Sequence, residues 1–151
     1  MKQKFNVMKY AFLVLVLVLA CRPKSPEPFP TCVEQATTLA DAQRLVAGEW
    51  RLAGTAEGSV PRFYANPDLG VRLRITADSI RVSEPGRPVK VVGWTLAKAS
   101  TGDITFQGTW DTRRERTYLP HPSGYVAVCE SSLTLGTCII DGIYYSYERV
   151  R

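Results

Sequence analysis

Residues 71–82 read VRLRITADSIRV, and the spacing of their apolar members decides the fold class. Val71, Leu73 and Ile75 alternate with Arg72, Arg74 and Thr76, the period of a strand with one face in a core and the other in water. Ala77 to Ser79 turns the chain, and Ile80 and Val82 resume the alternation around Arg81. Leu73, Ile75, Ile80 and Val82 are therefore expected to point inward. Arg72 and Arg74 must project outward, because burying two unpaired guanidinium groups is prohibitive.

The same period repeats in both directions. Gly48 to Gly54 reads as a strand through Trp50 and Leu52, and Glu84-Pro85-Gly86-Arg87 turns the chain into Val89 to Leu96. Ser100 to Asp103 turns it again before Ile104, Phe106, Gly108 and Trp110, which share one face. Tyr125 to Glu130 and Leu133 to Cys138 follow, and Asp141-Gly142 leads into Ile143 to Val150. About eight short strands joined mostly by tight turns predict an all-β antiparallel meander. Such a sheet must hide its edges, and closure into a small barrel fits the strand number. Phe106 and Leu135 belong to its core, and Trp50 is expected to plug its closed end. Ahead of the strands, Thr31 and Glu34 have capping-box spacing. Val33, Ala36, Ala40 and Val46 give the following short helix one weakly apolar side, ended by Ala47-Gly48.

The N-terminus is of another kind. Lys2, Lys4 and Lys9 precede an uninterrupted apolar run from Ala11 to Ala20. As a helix the run rises about 15 Å against roughly 30 Å of hydrocarbon, too short to span a membrane and right for an export signal over 1–20. Val18-Leu19-Ala20-Cys21 resembles the lipobox of bacterial lipoproteins, although Val18 stands where Leu is usual and Leu19 where Ala or Ser is usual. The resemblance implies cleavage before Cys21, a diacylglycerol thioether on its sulfur and a palmitate-type acyl group on its new amine. Such chains anchor a folded domain to the envelope membrane at roughly 0.8 kcal/mol per buried CH₂. Residues 21–30 carry Pro23, Pro26, Pro28 and Pro30 and read as a stiff tether. Arg22 is not the aspartate associated with inner-membrane retention, which favours the outer membrane. What remains, residues 31–151, is 121 residues of the 151 and makes one domain. The signal also removes three of the 19 basic residues, leaving 16 against 14 acidic, a formal charge of +2 rather than +5. With both signs interspersed, no nucleic-acid partner is expected.

Several short motifs in the strand region resemble the lipocalin-like domains of small bacterial lipoproteins. Gly48-Glu49-Trp50-Arg51-Leu52 is similar to their Gly-x-Trp-x-Leu opening, and Phe106-Gln107-Gly108-Thr109-Trp110 to their middle strand. Leu133-Thr134-Leu135 and the closing Tyr147-Glu148-Arg149-Val150 complete the likeness, which covers roughly Gly48 to Arg151. It implies an eight-stranded, calyx-like barrel. Residues 55–70 and 111–123 are longer than a minimal meander needs, and either rim the barrel mouth or are plain surface loops.

An eight-stranded barrel fills with side chains or holds one small ligand. Trp94, Phe106, Trp110 and Tyr145 are the residues expected to line such a pocket, which would take a small apolar ligand. The alternatives are a protein-binding envelope module or inhibitor acting through loops 55–70 and 111–123, and a structural lipoprotein with a filled core. Catalysis is not expected. The one histidine, His121, lies between prolines in a loop, and no metal-ligand spacing, phosphate loop or cofactor motif occurs.

Once Cys21 carries lipid, Cys32, Cys129 and Cys138 remain in an oxidising compartment. Cys129 and Cys138 lie on successive strands, and their proximity in sequence favours a bridge between them. A tight turn would put them out of register, so that bridge needs an irregular connection. Cys32 with either of the two is the rival pairing, and no bridge at all the third outcome.

Overall fold

The structure, a computed structural model, describes residues 34–57, 62–65, 69–111, 118–137 and 142–151. The expected export signal, lipidation motif and tether, Cys32 and the expected Thr31 cap lie outside these residues. The elements are α1 (Leu39–Val46), β1 (Gly48–Glu57), β2 (Arg62–Ala65), β3 (Arg72–Ile75), β4 (Ser79–Ser83), β5 (Lys90–Lys98), β6 (Ile104–Gly108), β7 (Ser123–Val128), β8 (Ser132–Thr137) and β9 (Ile143–Arg149).

Strands β3 to β9 pair in sequence order, each antiparallel to the next, and β9 returns to pair with β1. With β1–β3 pairing this closes an eight-stranded antiparallel barrel. Closure leaves no open edge among these eight strands, and the alternating residues supply the inside. Leu73, Ile75, Ile80, Val82, Phe106 and Leu135 are all buried as expected, while Arg72 and Arg74 are exposed. The helix starts later than the capping-box spacing suggests. Thr38 is the cap, its Oγ1 accepting from the Asp41 amide at 3.1 Å, and Ala42 and Val46 are the residues α1 buries.

The ninth strand, β2, is not evident in the sequence pattern, and a bulge in β1 explains it. Leu52 lies opposite Tyr147, yet Gly54, two residues on, lies opposite Ser146. Directly opposed residues share a face, so the extra residue Ala53 turns Gly54 and Ala56 to the outside of the barrel. Strand β2 covers them: Phe63 lies opposite Ala56 and is buried with it. A Cβ on Gly54 would stand 2.3 Å from the Tyr64 carbonyl oxygen and 2.6 Å from the Phe63 ring, so only glycine admits this layer. Gly136 plays a matching part on β8. It lies between Tyr125 and Tyr144, whose rings close over it at a centroid distance of 5.7 Å.

The expected Cys129–Cys138 pairing falls partly outside the described residues. Cys129 is disulfide-bonded, and Cys138 lies outside the described residues. Its neighbour Thr137, however, pairs with Gly124, while Val128 pairs with Leu133 at the other end of the hairpin. At about 3.3 Å per residue this puts Thr137 about 16 Å from Cys129. The hairpin is regular from the Gly124–Thr137 pair to the Val128–Leu133 pair.

Candidate functional site

The barrel has two unlike ends. One carries α1, the starts of β1 and β8, and the ends of β3, β7 and β9; Trp50 closes it. Its indole Nε1 donates to the Val46 carbonyl at 2.8 Å, and the Arg149 guanidinium lies 4.2 Å from the centre of its ring. Arg149 also donates to the carbonyls of Glu130 (2.6 Å), Ala47 (3.1 Å) and Leu45. Beside it lies a cleft of about 590 Å³ lined by Arg44, Leu45, Glu130, Ser131, Arg149 and Arg151. Arg44 faces Asp41 at 3.5 Å, and Arg149 is held by its carbonyls.

The interior is packed where a ligand wall was expected. Trp94, Phe106 and Trp110 are only 1–4 % accessible. Phe106 and Trp110 stack at 5.9 Å, and the two indole N–H groups are bonded to backbone oxygen: Trp94 to Thr76 at 3.0 Å, Trp110 to Pro120 at 2.8 Å. An indole with its N–H satisfied and its faces covered is core. Tyr145 alone of the four remains half-buried, packed against the core at the far end.

The described parts of both long segments stand at that far end. The end of β1 and β2 stand there, and so does the stretch entering β7, where Tyr118, Leu119 and Pro120 fold inward. Leu119 is buried, the Gly108 amide donates to the Pro122 carbonyl at 2.6 Å, and the Tyr147 hydroxyl donates to the Tyr118 carbonyl. His121 is exposed, with Nδ1 3.3 Å from the Ser123 hydroxyl. Among the described residues no group of three or more His, Cys, Asp or Glu is placed to hold a metal.

The outer surface of this rim was not foreseen. Five large apolar residues are exposed among the described ones: Tyr64, Leu69, Val89, Val91 and Ile143. Four of them stand on the same end, because β2, the entry to β3, the entry to β5 and the start of β9 all lie there. Gly70 would meet Pro85 at 2.9 Å, which brings the Leu69 segment against the turn that leads to Val89. Each is unremarkable in a sequence, where a single exposed apolar residue needs no explanation. Only the topology collects them.

Burial raises the pKa of Tyr145 and pushes that of Tyr147 well above the ordinary tyrosine value, with neighbouring Glu57 and Tyr145 respectively adding to the shift. Both raised values stabilise the fold below the unfolded tyrosine pKa, and the contribution is lost as pH rises above it. Stability in a urea series should therefore stay level up to about pH 10 and fall beyond it. Tyr147→Phe should weaken that alkaline fall; an unchanged fall would show that ionisation of Tyr147 is not its source.

No family model, curated protein or solved structure matches the chain.

Proposed function

We propose that the chain is a lipocalin-like bacterial lipoprotein, held at the outer membrane by acyl chains on Cys21, whose barrel serves as a protein-binding module through its far rim. The observation that carries this reading is the gathering of Tyr64, Leu69, Val89 and Ile143 on one end. Exposed apolar side chains grouped on a rim mark interaction sites, and aromatic and aliphatic anchors supply most of the energy there. The anchor itself rests on the positive head, the short apolar run, Ala20-Cys21 and the proline tether.

The packing of Trp94, Phe106 and Trp110 favours this over an apolar ligand held inside the barrel. Two measurements test it. Intact mass of the membrane-extracted protein should show Cys21 as the first residue, carrying acyl mass; an unmodified Cys21 or another mature start would remove the anchor. A photo-crosslinking residue at Leu69 or Val89 should give a discrete protein adduct in intact envelopes, and one at Thr95 on the wall should not. Saturable uptake of an apolar fluorescent probe, with energy transfer from the tryptophans, would return the reading to a ligand-binding barrel.

A further inference from the structure

We infer that Cys129 is bonded to Cys32, and that this disulfide staples the membrane tether to the helix end of the barrel. Cys129 is disulfide-bonded, and the β7–β8 register sets Thr137, the residue before Cys138, about 16 Å from Cys129, which argues against Cys138 as its partner. Two other cysteines exist, Cys21 and Cys32. Cys21 is removed by lipidation, a step that rests on the anchor proposed above; Cys32 is favoured independently by where the chain enters the barrel.

That entry is fixed by two hydrogen bonds. The Ala36 amide donates to the carbonyl of Val128, the residue before Cys129, at 3.0 Å. Lys98 Nζ donates to the Thr37 carbonyl at 3.2 Å, holding the same segment from the β5 side. Cys32 precedes Ala36 by four residues, a reach of at most about 14 Å, so the separation of about 5.5 Å between Cα atoms in a disulfide is easily met. Cys129 itself is 7 % accessible, with the Ser132 hydroxyl 3.0 Å from its sulfur, so the staple is sheltered by the turn at 129–131.

Closing the bond removes one hydrogen from each thiol. The two electrons pass to the disulfide of an exported dithiol oxidoreductase, which leaves as its dithiol.

The full-length, membrane-extracted protein is alkylated under denaturing, non-reducing conditions and then digested at basic residues and at glutamate. Cleavage after Glu130 separates Cys129 from Cys138. The expected product is a Cys32 peptide joined to a Cys129 peptide, with alkylated Cys138. Cys32→Ser should leave Cys129 open to alkylation, whereas Cys138→Ser should leave the bridge intact. Cys129 joined to Cys138 or to Cys21, or recovered as a free thiol, overturns the inference. Acyl mass is read separately on the N-terminal peptide, so a failed anchor and a failed staple give different results.

Discussion

Replacing Trp50 by Ala should cost about 5 kcal/mol, the upper end of the range for a buried tryptophan. Trp50 is fully buried, opposite Leu73 on one side and Arg149 on the other. Truncation opens a cavity at the closed end of the barrel that its rigid neighbours cannot refill. It also frees the Val46 carbonyl at the end of α1, and removes the ring on which Arg149 rests. Domains of this size have about 5–15 kcal/mol in total, so the variant should be marginally folded. Urea denaturation, followed by the fluorescence of the remaining tryptophans, measures the loss. Trp50→Phe keeps the ring and loses the N–H, and should cost about 1–2 kcal/mol. If both variants lose the same amount, hydrogen bonding rather than cavity formation dominates, and the packing account fails.

Arg149→Met should cost about 3 kcal/mol, because it removes charged donors from three carbonyls at once. Those carbonyls belong to the end of α1 (Leu45), the residue after it (Ala47) and the β7–β8 turn (Glu130). The side chain thus ties the helix, the first strand and a distant hairpin at one point. Arg149→Lys should recover little of this, since one ammonium group cannot reproduce the fork of donors or lie flat on the indole. Hydrogen exchange should show faster opening of the amides of α1 and of the turn at 129–131 in both variants. Stability of the Lys variant equal to that of the natural chain would show that charge alone, not the fork geometry, is what the site needs.

The candidate binding surface was less legible in the sequence than the wall that supports it. The two long segments were recognised as extra to a meander, and the topology places both on one end. Val89 and Ile143 read in the sequence only as strand starts, and nothing there relates them to Tyr64 and Leu69. Leu69 and Val89 stand just ahead of strands whose alternation does not extend to them, and Tyr64 belongs to a strand that the pattern hides. Among the expected pocket residues, Trp94, Phe106 and Trp110 are buried, but alternation along a strand does not distinguish a lined cavity from a filled one. That difference depends on where the chain returns: Pro120 reaches Trp110, and Leu119 packs beneath the rim.

By itself the sequence determined the antiparallel meander and the inward faces of β3, β4, β6 and β8. Those follow from alternation along a single strand, enforced locally by the cost of burying Arg72 or Arg74. The tertiary structure alone decided the bulge at Ala53, the outer layer of Phe63 over Gly54, the distance between Cys129 and the end of β8, and the gathering of apolar residues on one rim. Each of these is a relation between strands, set by pairing register and barrel closure, and a register leaves no trace in the composition of either strand taken alone.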